Sequence, residues 1–177
     1  MSQSYNTFSD NLAQAFIQVL NVWYSTYLDF AGSLSVVDTS GDQDIYEPLE
    51  PDGGESKAAA DLVSNLPRVI VSPGEGVEEI YHTGNMRIPV EIHCKTDLDI
   101  GGYPQAKALF AATLDACQSL TLLTQLNATS DQLGGKLVGV HGVVINGVRL
   151  NDASDRIFHK TITLDVFGYS VPVTQPS

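Results

Sequence analysis

Positions 86–95 read Met-Arg-Ile-Pro-Val-Glu-Ile-His-Cys-Lys. Met86, Ile88, Val90, Ile92 and Cys94 alternate with Arg87, Pro89, Glu91, His93 and Lys95. A period of two is what a strand with one buried face produces. Lys95 to Gly102 then supplies a polar connection ending in glycine. Pro104 stands where a first helical residue would, a position with no use for an N–H. Beyond it Ala106, Leu109, Phe110, Thr113, Leu114, Cys117 and Leu120 recur at steps of three and four, the stripe of one helix side. A long strand followed by an amphipathic helix is half of a core, so the remaining chain has to add strands to the sheet and cover to the helix.

Working outward toward the start, Thr7 or Ser9 can cap a first helix, along which Leu12, Ala15, Phe16, Val19, Leu20 and Trp23 form an apolar stripe. Tyr24, Thr26, Leu28 and Phe30 then alternate with their neighbours and hint at a strand ending near Gly32. Asp38 to Asp61 has the texture of an acidic insertion: eight acids stand against Lys57 alone, with Pro48, Pro51 and three glycines among them. Such a stretch buries little apolar surface and reads as a surface arm, with a short helix possible over 55–66. Residues 67–72 (PRVIVS) read as a buried strand closed by Pro73-Gly74. It can pair antiparallel with the Met86 strand across the acidic connection Glu75–Asn85.

Toward the end, the central helix fades between Ser119 and Asn127, and Ser130–Gly135 turn. Leu137, Val138, Val140, Val143, Val144 and Ile145 are β-formers, and Asn146-Gly147 is the strongest short hairpin signal in the chain. From Arg156 to Tyr169, Phe158, Ile162, Leu164 and Val166 line one side of a strand and His159, Thr161, Thr163 and Asp165 the other, with Lys160 breaking the inner row. A strand this long suits the middle of a sheet. Residues 171–177 read as an extended tail. The order of elements predicts one α+β domain over 1–177, a mainly antiparallel sheet with helices packed on one face.

With 177 residues the chain can bury a real core. Acids outnumber bases 21 to 9, for a formal charge of −12. That balance excludes tight binding of nucleic acid through phosphate neutralisation, which needs Lys and Arg. It is compatible with a surface past which DNA slides. Cys94 and Cys117 fall on the apolar faces of the strand and helix, and reduced core thiols in a protein made in the cytosol are expected over a disulfide. No charged-then-apolar leader opens the chain and no apolar run reaches spanning length, so no secretory signal or membrane partner is expected.

The residues offer little chemistry. His82, His93, His141 and His159 lack a HExxH spacing, and no CxxC pair is present. His93 and His159 fall on the outward faces of their strands, where they can meet on one sheet surface. They read first as exposed polar residues and second, together with Asp97, as a small metal-dependent hydrolytic site. Asp97 and Asp99 form an Asp-x-Asp before a helix, where acids also serve capping and the helix dipole. Pro73-Gly74-Glu75-Gly76 lacks the Lys-Ser/Thr of a phosphate loop, and the glutamates near it repel phosphate. No nucleophile elbow occurs. An enzyme is the weaker class, and no cofactor, metal or catalytic residue is expected.

One layout is more specific. Leu66-Pro67-Arg68-Val69-Ile70-Val71 opens the core, followed by an acidic loop, Gly84, the strand Met86–Lys95, and a helix rich in Ala and Leu over Ala106–Leu114. The chain closes with a strand entered through Asp155-Arg156 and continuing Ile157-Phe158-His159-Lys160-Thr161-Ile162-Thr163-Leu164. This layout, over residues 5–25 and 66–170, resembles the tail terminator (tail completion) proteins of long-tailed bacteriophages. The insertion at 38–61 departs from it. The resemblance implies a small virion subunit, made in the host cytoplasm, that forms a hexameric ring at the head–tail junction. It implies that the ring caps the tail tube, ends its elongation, meets a head connector or stopper protein, and lets DNA through its hole. On that expectation Glu75, Glu78 and Glu79, or the acidic arm, line the hole. A head–tail stopper is the neighbouring reading.

Overall fold

In the computed structural model, residues 8–38, 66–74, 77–80, 85–132, 139–150 and 156–169 are described. The elements run α1 (Phe8–Tyr27), a 3-10 turn (Ala31–Ser33), β1 (Ser35–Asp38), β2 (Arg68–Pro73), β3 (Val77–Ile80) and β4 (Asn85–Asp97). They continue as α2 (Gly102–Cys117), α3 (Leu122–Gln132), β5 (Gly139–Leu150) and β6 (Ile157–Tyr169). The sheet order is β1-β2-β4-β6-β5, with β3 attached to β4 off this path. All pairings are antiparallel except β1 with β2. The α+β class, the antiparallel pairing of the 67–72 strand with the Met86 strand, and the central position of the last strand are as the sequence predicts.

The register explains the alternation. Ile92 faces Ile162 and Val90 faces Leu164 across β4–β6, while Cys94 faces Val69 across β4–β2. These residues share one face and form a single buried cluster with Leu12, Phe16 and Leu20 of α1, Leu109 and Ala116 of α2, and Leu126 of α3. Removing such side chains from water is the main favourable term in folding. Tyr24 Oη lies 2.6 Å from Thr113 Oγ1, and Cys94 Sγ donates to the same hydroxyl at 3.4 Å, tying α1, α2 and β4 at one point. Both cysteines are free and buried. Lys160 interrupts the inner row because its Nζ sits 4.1 Å from the Phe110 ring centre.

Several expectations are corrected. The Tyr24–Phe30 alternation is not a strand: α1 runs on to Tyr27, because Tyr24 extends the helical stripe one turn past Leu20 into the core. Ser9 lies inside α1 and does not cap it, and Thr7 lies outside the described residues. Pro104 is the third residue of α2, still within the turn whose N–H groups have no helical acceptor. The stripe does not reach Leu120. α2 stops at Cys117, Leu120 is wholly exposed, and Ser119 accepts from the backbone N–H groups of Thr121 and Leu122 to start α3. The connection Glu75–Asn85 contains β3, which pairs with the start of β4. Asn146-Gly147 is no hairpin turn. Both lie within β5, where the register slips by one residue between Ile145 and Gly147. The extra residue lets Ile145 and Val148 face Leu164 and Ile162 on the core side of β6, an arrangement a reversal at Asn146 would forfeit. Beyond Asp38, the acidic arm lies outside the described residues, as do the 171–177 tail and all but Leu66 of the helix expected over 55–66, and Leu66 is not helical.

Candidate functional site

On the face of the sheet turned away from the helix cluster, the same register lines up a polar row. His93 of β4 stands opposite Thr161 of β6, Lys95 opposite His159, and Thr161 opposite Arg149 of β5. His159 Nε2 lies 2.7 Å from His93 Nδ1, and Thr161 Oγ1 lies 3.1 Å from the same nitrogen. The other ring nitrogen, His93 Nε2, is 3.0 Å from Glu91 Oε2, and Arg149 reaches Glu91 Oε1 at 3.6 Å.

These contacts assign the protons. An ionised carboxylate only accepts, so His93 carries its hydrogen on Nε2 and leaves Nδ1 as the acceptor. His159 Nε2 must then be the donor in the 2.7 Å bond. The result is a directed row, His159 to His93 to Glu91, with both rings neutral. Burial pulls the His93 pKa down, and Lys95 and Arg149 add to that against the opposing pull of Glu91. Burial first, then Lys95, His93 and Arg149, push His159 down to about 3.

The structure therefore brings His93 and His159 together as the sequence predicts, but it corrects their setting. They are 0% and 8% exposed, not surface residues. It does not bring Asp97 to them. The Asp97 carboxylate, 2% exposed, takes paired hydrogen bonds from Arg156 at 3.0–3.3 Å and a third from the Asp99 N–H at 2.9 Å. Arg156 also reaches Asp99 at 3.4 Å. Hydrogen bonds from Arg156 hold the Asp97 carboxyl below the usual carboxylate range. The Asp-x-Asp thus fastens the end of β4 to the start of β6. Among the described residues no group of three or more His, Cys, Asp or Glu side chains is placed to hold a metal ion. His141 is exposed and lies against Phe167, and His82 falls outside the described residues. Glu91 and Thr161 were missed as partners. The signal for them was present, since each lies two residues from a histidine on the same strand and so on the same face.

The second feature is the outer edge of the sheet. Among the described residues β5, twelve residues long, is an edge strand. The helix layer reaches it near its start, where Asn127 exchanges two hydrogen bonds with the backbone of Val140. Further along, Val144, Val148 and Leu150 are 54%, 44% and 65% exposed. Of the acids expected at a central hole, Glu78 and Glu79 lie on β3, and Glu75 lies outside the described residues.

No family model matches the chain, and no curated protein matches it. Three solved structures of proteins from Akkermansia muciniphila share 14% identity with it. One crystal structure aligns over 99% of this chain and 90% of that one, with a TM-score of 0.38. A second, of a protein without its transmembrane region, aligns over 98% and 91% with a TM-score of 0.37. A third, of a core domain, aligns over 96% and 92% with a TM-score of 0.37. Scores of this size leave function to be argued from the chain itself.

Proposed function

We propose that the chain is a ring-forming structural subunit of a bacteriophage tail, acting at the head–tail junction to cap the tail tube and join it to the head connector. The observation that carries this reading is the exposed apolar edge of β5. Among the described residues no strand lies beyond β5, and a long edge with exposed Val and Leu is the kind that proteins blunt unless a neighbouring chain takes it. Assembly by such an edge agrees with the element layout that resembles tail terminators. The charge of −12 suits a hole through which DNA passes without sticking. Glu75, Glu78 and Glu79 are the acids assigned to that hole. The hydrolytic alternative is not favoured by the geometry, because Asp97 is bound to Arg156 and the two histidines are buried.

Native mass measurement of the purified protein, alone and with the tail tube protein of the same virus, tests the reading. A ring of six that binds tube ends is expected. A single subunit at every concentration, with no binding to tubes, overturns it. Charge reversal of Glu75, Glu78 and Glu79 is expected to slow DNA exit while sparing assembly, and unchanged ejection kinetics would remove them from the hole.

A further inference from the structure

Resting on the ring reading, we propose that the partner of the β5 edge is the β1 edge of the next copy, so that the sheets of successive subunits join into one continuous sheet. Both ends of the sheet order are open among the described residues: β1 at one side and β5 at the other. Their directions are compatible. β1 runs parallel to β2, and β4, β6 and β5 then alternate, so β5 runs opposite to β1. Rotating one copy about an axis along the strands therefore sets its β1 antiparallel to its neighbour's β5. One patch meets a different patch, the contact type that closes rings.

Length, face and charge agree with this pairing. In the antiparallel register that sets Val36 against Val148, Leu34–Val37 lie opposite Leu150–Gly147, the four residues that run regularly against β6 past the register slip. Val36 of β1 pairs with Val69 on the core side of the sheet, and Val148 pairs with Ile162 on that same side. A register that sets Val36 against Val148 thus continues the apolar face from one subunit into the next. β5 contains no acid, so Asp38 at the end of β1 meets no like charge along it. Six five-stranded sheets in series, at about 4.8 Å per strand, close with a diameter of about 45 Å between backbones.

Cysteine cross-linking tests the pairing. Within one chain β1 and β5 lie about 19 Å apart across the sheet, so a short thiol cross-link between them must join two copies. Val36→Cys and Val148→Cys, made together, are expected to give a ladder of cross-linked species under mild oxidation. Mixed single variants are expected to give one dimer band. Val148→Lys with Leu150→Lys, at exposed positions, is expected to leave the thermal melt unchanged and abolish the ring. A ring of normal mass with no ladder overturns the pairing and leaves the ring reading standing, as does self-cross-linking of Val148→Cys alone. A protein that never assembles overturns both.

Discussion

Lowering the pH from 7 to 5 is expected to destabilise this protein through the row His159–His93–Glu91. In the folded state His159 has a pKa of about 3, against an ordinary value of 6.5, so between these values the unfolded chain binds the extra proton. Stability is therefore fully present above about pH 6.5 and declines as pH falls, levelling off only near pH 3. Two pH units through that window remove up to about 2 kcal/mol for this imidazole. The His93 pKa is lowered too, so its contribution has the same sign. In a chain of 177 residues that loss corresponds to a fall of about 4–8 °C in the melting midpoint. Asp97 does not contribute to this window. Its carboxyl is held below 3.8, so the stability it adds is present above that value and is lost only in stronger acid. Urea unfolding at pH 7, 6 and 5, on the wild type and on His159→Gln, measures the effect. The wild type is expected to lose stability steadily, and the variant to lose less by about 2 kcal/mol over the same interval. Equal slopes for the two proteins would refute the proton assignment, because a ring already charged in the fold gives no such difference.

Four further outcomes follow from other parts of the fold. Arg156→Ala leaves the nearly buried Asp97 carboxylate without its paired donors, so the urea midpoint at pH 7 is expected to drop. Arg156→Lys should recover only part of the loss, since an ammonium lacks the two-pronged geometry. Tyr24→Phe removes the 2.6 Å bond to Thr113 and is expected to cost about 1 kcal/mol by urea unfolding, because Thr113 keeps its bond to the Leu109 carbonyl. Leu126→Ala, which opens a gap between α3 and the rest of the core, is expected to cost about 2–5 kcal/mol in the same assay. Burial pushes both Cys94 and Cys117 up to about 12. A thiol reagent at pH 8 is therefore expected to label neither in the native protein and both after denaturation.

Local periodicity carried much of the fold. The stripe from Ala106 to Cys117 reflects one-sided burial, and the alternation at Met86–Cys94 reflects one apolar face on the helix cluster and one polar face carrying the histidine row, so both leave their period in the sequence. Tyr24 shows where that reading fails. Four residues with alternating bulk fit a strand or a last helical turn equally well, and the hydrogen bond to Thr113, 89 residues away, decides between them. Asn146-Gly147 fails differently. Its turn preference is a local term of modest size, and continuing the β5–β6 pairing with Ile145 packed on the core outweighs it.

The sequence by itself determined the α+β class, the acidic character and the absence of a familiar catalytic signature, because these depend on composition and short-range spacing. Only the tertiary structure decided that His93 and His159 face each other in a buried row, that Asp97 belongs to Arg156, and that β5 stands at an edge among the described residues with Val144 and Val148 exposed. Each of those facts is a pairing between distant strands. Register across a sheet is set by the whole core at once, and no short stretch of chain records it.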